Sequence, residues 1–374
     1  GTGIREDKQE AVKWYRLAAD QGDAEAQWRL GNCYFWGEGI REDKQEAVKW
    51  YRLAADQGDA EAQKELVDCY KQQGDCYFWG AGIREDKQEA VKWYRLAADQ
   101  GDAEAQRRLG YFYFWGEGIR EDKQEAVKWY RLAADQGDAE AQKELVDCYK
   151  QQGDCYFWGE GIREDKQEAV KWYRLAAEQG DAEAQRILGA CYYFGTGIRE
   201  DKQEAVKWYR LAAEQKNSEA RWRLGDCYFW GEGIREDKRE AVKWYRLAAE
   251  QGNAKAQWRL GACYYFGTGI REDKQEAVKW FRLAAEQEDA EAQWMLGDCY
   301  FFGHGVGKNK REAVNWYFLS AKKGNAEAQR RLGACFYFGH GVAKNRQEAI
   351  RWYRLAAEQG NSVAISMLKK LGVM

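Results

Sequence analysis

The segment GEGIREDKQEAVKWYRLAAEQG, at Gly159–Gly180, recurs with few changes along the whole chain of 374 residues. Its opening, in the forms GTGI, GEGI, GAGI or GHGV, occurs ten times. Successive openings are 36 residues apart, except for two gaps of 43 residues. A fixed period of this length is typical of solenoids, in which each unit buries its apolar face against its neighbours. The units begin at residues 1, 37, 80, 116, 159, 195, 231, 267, 303 and 339.

Each unit predicts two helices. In the first copy, Asp7 and Glu10 have the spacing of a capping box, so a first helix, helix A, should begin at Lys8. Apolar or small residues follow at three- and four-residue spacing until Gly22, which is expected to end that helix. Asp23 offers a cap for a second helix, helix B, which runs to the next opening. The fold is therefore predicted to be all-α, an α/α superhelical solenoid of about ten helix-turn-helix repeats.

A glycine recurs inside helix B, at Gly31 in the first copy. Glycine in a helix interior costs about 1 kcal/mol relative to alanine. Its recurrence indicates that a bulky neighbour fills the space where a side chain would be. We expect a Trp or Tyr of helix A there.

The two 43-residue units, which begin at 37 and 116, carry seven extra residues inside helix B. Seven residues make nearly two turns of an α-helix, so the insertion keeps the helix faces almost in phase. Residues 60–80 and 139–159 are therefore each predicted to contain one continuous helix, about two turns longer than the other B helices.

The recurring positions form the pattern GxGI…A-x-x-W-Y-x-x-A-A-x-x-G…A-Q-x-x-L-G-x-x-Y-x-x-G, which covers essentially the whole chain. This pattern resembles that of the Sel1-like repeat family, relatives of the tetratricopeptide repeats. The tetratricopeptide period of 34 residues and its usual proline are both missing, since the chain contains no proline. The resemblance implies adaptor roles in assembling membrane-associated or signalling complexes.

The chain is expected to form a single repeat array over residues 1–374. Its composition is 45% hydrophobic and 32% charged, and no apolar run approaches the length of about 20 residues that spans a bilayer. The first residues already lie inside a repeat, so we expect a fragment boundary there and no visible native targeting signal. Residues 361–374 have lost the aromatic signature of helix B and are expected to form a C-terminal cap.

The ten cysteines share one region of helix B. Equivalent positions in stacked repeats lie about 10 Å apart, as do Cys69 and Cys76 on one helix, whereas a disulfide needs Cα atoms within about 7 Å. No disulfide is therefore expected. Free thiols favour a reducing compartment, and hence the cytoplasm.

Candidate catalytic residues are few. His304 and His340 lie in equivalent turns, one repeat apart, which is too far for one shared metal ion. The string from Ser320 to Lys323 has the S-x-x-K spacing of penicillin-binding proteins, but the companion S-D-N and K-T-G strings are absent. Neither an enzyme nor a metal or cofactor is therefore predicted. Some Sel1-like relatives are linked with β-lactams, so the resemblance leaves a β-lactam-interacting hydrolase as an alternative.

Aromatic residues are the better indication of function. Tyr34, Phe35 and Trp36 are consecutive on a helix and together sweep about 200°, so at least one must leave the core. Repeated along the chain, these residues form an aromatic ladder that either packs the repeats together or lines a binding groove.

The position after Ala-Gln in helix B changes between Trp, Lys and Arg while its neighbours stay constant. A position that accepts both Trp and Lys is not typical of tightly packed core. Trp and Arg are also enriched at binding hot spots. The partner-binding residues predicted on this basis are Trp28, Arg107, Arg186, Trp222, Trp258, Trp294 and Arg330.

The predicted function is a non-enzymatic scaffold that binds a partner protein or peptide along the groove of the superhelix. Binding of a glycan such as peptidoglycan along the aromatic ladder is a further alternative. Residues 303–374 hold 13 Lys and Arg against 4 Glu. This basic end would suit an acidic partner or an anionic surface, or it is simply a solvated face. No nucleic acid partner is expected.

Overall fold

The computed structural model describes residues 7–81 and 84–373, and within these ranges it contains twenty α-helices and no strands. The helices form ten A and B pairs, which confirms the all-α, helix-turn-helix prediction. In chain order they are α1 Lys8–Asp20, α2 Ala24–Trp36, α3 Lys44–Asp56, α4 Ala60–Trp79, α5 Lys87–Asp99, α6 Ala103–Trp115, α7 Lys123–Asp135, α8 Ala139–Trp158, α9 Lys166–Glu178, α10 Ala182–Phe194, α11 Lys202–Glu214, α12 Ser218–Trp230, α13 Lys238–Ala249, α14 Ala254–Phe266, α15 Lys274–Glu286, α16 Ala290–Phe302, α17 Lys310–Lys322, α18 Ala326–Phe338, α19 Arg346–Glu358 and α20 Ser362–Lys370.

The chain divides into two compact units, one ending at Asp154 and the other beginning at Cys155. Within each unit, a B helix packs against the A helix that follows it, as α2 does against α3 and α16 against α17. The cores combine alanines and aliphatic residues with large aromatic rings, such as Ala205, Val206 and Tyr209 in the second unit. That all ten repeats form a single array stays a prediction.

The helix boundaries follow the local capping signals. Helix α1 begins at Lys8, as expected, because the Asp7 carboxylate accepts hydrogen bonds from the backbone N–H groups of Gln9 and Glu10. The Asp23 carboxylate accepts from the Ala26 amide in the same way at the start of α2. Helix α2 ends where Gly37 takes a φ of 67°, a left-handed conformation that favours glycine.

The glycine inside helix B allows close packing between repeats. A Cβ atom at Gly31 would lie 2.6 Å from two ring carbons of Tyr51, which belongs to helix A of the next repeat. Gly225 faces Tyr245 at the same distance. The prediction that a Trp or Tyr of helix A fills this space is therefore confirmed, and the ring is the tyrosine.

The two insertions extend helix B without interrupting it. Helices α4 and α8 are each continuous over 20 residues, whereas the other full B helices have 13 residues. The prediction of one longer helix in each segment is confirmed. Seven extra residues add about 10 Å at 1.5 Å per residue.

The last described helix, α20, is short, with 9 residues. Its Ala364 and Leu368 are buried against Ala349, Tyr353 and Ala356 of α19. A role of residues 361–374 as a terminal cap stays a prediction.

Candidate functional site

The carboxyl end of every B helix from α2 to α18 exposes an aromatic ring. In α2, Phe35 is 5% exposed and packs into the core, whereas the next residue, Trp36, is 66% exposed. The sequence left open whether the aromatic ladder packs the repeats together or faces outward. Both occur, since Phe35 is packed in the core and Trp36 faces outward. We call the outward rings the end aromatics: Trp36, Trp79 and Trp115 in the first unit, and Trp158, Phe194, Trp230, Phe266, Phe302 and Phe338 in the second.

In the second unit, arginines from the following repeat stack on several end aromatics. The guanidinium of Arg223 lies 5.7 Å from the ring centroid of Phe194, and that of Arg259 lies 5.8 Å from Trp230. The guanidinium of Arg331 lies 5.3 Å from the ring centroid of Phe302. These distances are typical of cation–π interactions, so the aromatic rings and the guanidinium groups lie side by side. We call these residues, together with the exposed end aromatic Phe266 of the intervening repeat, the aromatic–arginine stripe: Phe194, Arg223, Trp230, Arg259, Phe266, Phe302 and Arg331.

The tryptophans predicted to bind a partner lie between repeats rather than on an open surface. Trp222 is only 8% exposed and packs against Ala241, Val242 and Tyr245 of α13. The expectation that its position lies outside the packed core is therefore wrong for Trp222, because the next A helix covers it. The three others, Trp28, Trp258 and Trp294, are half-buried, and the indole N–H of Trp294 donates to Glu291 at 2.7 Å.

The predicted arginines, all half-buried, are each held by carboxylates. Arg107 pairs across the repeat boundary with Asp138 at 3.3 Å and with Glu140 at 3.2 Å. Arg186 and Arg330 instead pair with a glutamate three residues earlier on their own helices. Trp258 and Trp294 pack against the same core cluster, and within the described ranges no contact gathers all the predicted residues together. Their role in partner binding stays a prediction.

Sequence reasoning missed a buried polar triad that recurs between repeats. The Tyr317 hydroxyl donates to Asp298 at 2.5 Å, and the Arg331 guanidinium donates to the other oxygen of the same carboxylate at 2.7 Å. Asp226, Tyr245 and Arg259 form a related group, in which the Tyr245 hydroxyl donates to Asp226 at 2.6 Å and Arg259 forms an ion pair with the same carboxylate oxygen at 3.1 Å. These contacts join α12 and α16 each to both helices of the next repeat.

Burial sets the electrostatics of the triad. Desolvation raises the pKa of Asp298, and the hydrogen bond from Tyr317 and the charge of Arg331 partly offset that rise. The intervening repeat has Ala262, Phe281 and Met295 at the corresponding positions. The signal was therefore present in the sequence, as an alternation of Asp and Ala after the helix-B glycine.

The ten cysteines are unpaired, and seven of them are buried. Burial raises the pKa of the Cys227 and Cys299 thiols to about 12, so they remain protonated and unreactive at neutral pH. Cys33, Cys76 and Cys155 are half-buried. The cysteines are core residues of helix B rather than a reactive site.

Thiol counting tests this view directly. In the denatured protein, without reductant, a thiol reagent should count ten free thiols, since no two cysteines are bonded. In the native protein Cys33, Cys76 and Cys155 should react first, because access limits reaction of the buried thiols. A count of eight or fewer would show a disulfide.

The residues with possible catalytic chemistry are used for structure. Ser320 is fully buried, and its hydroxyl donates to the Ala290 carbonyl at 2.7 Å. Lys323 donates to the Glu288 carbonyl at 2.6 Å. His304 forms a 2.6 Å hydrogen bond with the Tyr265 hydroxyl and stacks on Phe302.

Neither a metal centre nor a membrane-spanning helix is present in the described part of the chain. Across residues 7–81 and 84–373, no group of three or more His, Cys, Asp or Glu is arranged to hold a metal ion. Within the same ranges, none of the helices combines the length and apolar character that a membrane crossing requires.

Comparison with known proteins places the chain in a family. The Sel1 repeat model matches it ten times, over residues 1–23, 24–59, 74–102, 103–138, 153–181, 182–217, 218–253, 254–289, 290–325 and 326–361. The chain belongs to the Sel1 repeat family. Two stretches inside the long helices, 60–73 and 139–152, fall outside the matches. Sel1 repeats generally mediate protein–protein interaction, and their scaffolds are typically non-catalytic.

Solved structures agree with this assignment. The chain is similar to c5321, a protective antigen of uropathogenic Escherichia coli with the same repeat fold, at 33% identity over 96% of this chain and 82% of that one, with a TM-score of 0.60. It is also similar to a Sel1 repeat protein from Oxalobacter formigenes, at 27% identity over 99% and 95%, with a TM-score of 0.55. No curated protein matches the chain.

Proposed function

We propose that this chain is a non-catalytic scaffold that binds a segment of a partner protein along the aromatic–arginine stripe of its second unit. The observation that carries the proposal is the exposure of large rings at equivalent positions, with Trp230 at 57% and Phe266 at 64%. The exposed rings keep apolar surface in contact with water in the free protein, and a bound apolar side chain would remove that surface from water, which is favourable.

The arginines of the stripe supply the polar part of such an interface. Each guanidinium is partly neutralised, Arg259 by Asp226 and Arg331 by Asp298, and so is held in one orientation. Aromatic rings and arginines dominate protein-binding hot spots because they combine large contact area with directional hydrogen bonds. The basic residues 303–374 favour a partner segment that carries acidic side chains.

Catalysis is not part of the proposal. A β-lactam-interacting hydrolase would need an accessible Ser320, whereas its hydroxyl is fully buried and donates to a backbone carbonyl.

We assign the residues that the sequence predicted to the same binding surface. Its edges would be formed by the half-buried Trp258 and Trp294 and by the paired Arg186 and Arg330, with Trp222 as support beneath it.

Selection of binders from a random peptide library tests the proposal. Peptides selected on the wild-type chain should lose about 1–3 kcal/mol of binding free energy when Trp230→Ala and Phe266→Ala are introduced. Isothermal titration calorimetry measures the loss. Both variants should remain folded, because these rings are more than half exposed.

The matched controls are Leu247→Ala and Leu283→Ala, which remove exposed apolar side chains of α13 and α15 in the same part of the chain. They should leave binding unchanged. Equal losses in the leucine and aromatic variants, or selected peptides that bind all variants alike, would contradict the proposed surface.

A further inference from the structure

Helix α6 departs from the repeat pattern, and the departure opens a cleft. Where other repeats have Asn, Asp or Ala followed by Cys, α6 has Tyr111 and Phe112. Beside it lies a cleft of about 250 Å³ in the first unit. A volume of this size suits one side chain rather than a cofactor. Its lining residues are Phe78, Trp79, Arg107, Arg108, Tyr111, Tyr130 and Glu144.

Tyr130 lacks the hydrogen-bond partner that its equivalent in an earlier repeat, Tyr51, has. The Tyr51 hydroxyl donates to Asn32 at 2.7 Å. The position that corresponds to Asn32 is Tyr111, whose hydroxyl donates to Glu117 at 3.4 Å. Tyr130 is only 1% exposed, and its hydroxyl has no hydrogen-bond partner among the residues that the structure describes. A buried hydroxyl without a partner is costly, so this one is a donor available to a ligand.

Arg108 is a second donor without a partner. Its equivalents Arg259 and Arg331 pair with buried aspartates, whereas no ion pair of Arg108 is present within residues 7–81 and 84–373. The Nε–H group of Arg108 is buried and donates to no acceptor in this part of the chain. Arg107, on the cleft edge, is already held by carboxylates of the next repeat. The cleft therefore contains one guanidinium, that of Arg108, which forms no ion pair among the described residues.

The remaining wall is aromatic, apart from the carboxyl group of Glu144. Phe78 and Trp79 meet edge to face with ring centroids 4.6 Å apart, and Trp79 is 67% exposed. Glu144, from the insertion-lengthened helix α8, closes the other side, and burial raises the pKa of its carboxyl. An occupant must therefore present an anionic acceptor to Arg108 and Tyr130 and an apolar group to Trp79.

We propose that this cleft captures a glutamate or aspartate side chain of a bound partner protein, with Arg108 and Tyr130 donating to its carboxylate and Phe78 and Trp79 packing against an apolar neighbour. The assignment rests on the proposed function, since it names a feature of the bound peptide. Charge complementarity carries the choice, because a guanidinium and a phenol are a matched donor pair for a carboxylate.

The test uses peptides selected on the full chain that contain an acidic residue next to an apolar one, and isosteric copies with Gln for Glu or Asn for Asp. The wild-type chain should bind the acidic form at least ~10-fold more tightly. Arg108→Gln should abolish that preference. The charge-matched control Arg120→Gln, at an exposed position outside the cleft, should retain it.

Tyr130→Phe separates a binding role from a structural one. It should weaken the acidic peptides several-fold while leaving thermal stability equal or higher, because it removes a buried hydroxyl without a partner. The matched variant Tyr245→Phe loses a real hydrogen bond and should be less stable. A loss of stability in Tyr130→Phe equal to that in Tyr245→Phe would overturn the assignment.

The two proposals can fail separately. If selected peptides depend on Trp230 and Phe266 but show no acid preference that Arg108→Gln removes, the cleft assignment is wrong and the proposed function stands. If no peptide depends on the stripe, the proposed function is wrong, and so is the cleft assignment that rests on it.

Discussion

Replacing Asp298 by Ala should lower the free energy of unfolding by about 3–5 kcal/mol, the usual cost of removing one partner of a buried charge pair. The substitution leaves the Tyr317 hydroxyl and the Arg331 guanidinium without their acceptor inside the interface between two repeats. Urea denaturation followed by circular dichroism measures the change. Hydrogen exchange should locate it in α16, α17 and α18, since contacts in repeat proteins are local.

The neighbouring repeat supplies the control. It has Ala262, Phe281 and Met295 at the triad positions, so the triple variant Asp298→Ala, Tyr317→Phe, Arg331→Met copies a set that the chain already uses. We expect it to recover most of the loss, because exchanging a whole buried polar group for apolar residues of similar volume is often neutral or stabilising. A triple variant as unstable as Asp298→Ala would show that the triad does not act as a unit.

Alkaline pH should destabilise the protein strongly, because buried thiols cannot ionise in the folded state. Burial raises the pKa of six thiols to about 12 and that of Cys191 to about 11, against 9.0 for an unperturbed thiol. The unfolded chain releases these protons first, so the free energy of unfolding falls as pH rises from about 9 through about 12. Below pH 9 this stability is fully present.

The size of the effect follows from linkage. At pH 10, ionisation in the unfolded chain lowers the free energy of unfolding by roughly 1 kcal/mol for each buried thiol, so the seven together remove on the order of 10 kcal/mol, comparable with the whole stability of a typical domain. Buried tyrosines such as Tyr245 and Tyr317 shift in the same direction, because burial raises their pKa values as well. Helical circular dichroism against pH, with reductant present, should show unfolding near pH 10.

A variant with Cys227, Cys263 and Cys299 all replaced by Ala separates the thiols from the tyrosines. Its stability at neutral pH should be lower, since buried volume is lost. Its stability should fall less steeply between pH 8 and pH 10 than that of the wild type, because fewer groups release protons on unfolding. Equal slopes for the two proteins would show that the thiols do not control the alkaline transition.

The local structure could be predicted from the sequence because its signals are local. The Asp7 cap, the stop at Gly22 and the seven-residue insertions depend on hydrogen bonds within a few residues, and all three appear as expected. The glycine at position 31 also indicated a large neighbour, since a glycine inside a helix is costly unless close packing requires it.

The candidate site depended on contacts that only the folded chain reveals. Trp222 is buried and Trp230, on the same helix, is exposed, because the A helix of the next repeat covers one and not the other. Tyr130 and Tyr245 occupy equivalent positions, yet only Tyr245 finds a carboxylate across the repeat boundary. The repeat pattern by itself therefore determined the helices and their pairing. The tertiary structure decided which rings face solvent and which polar groups lack a partner, because both depend on the residue that the neighbouring repeat places opposite them.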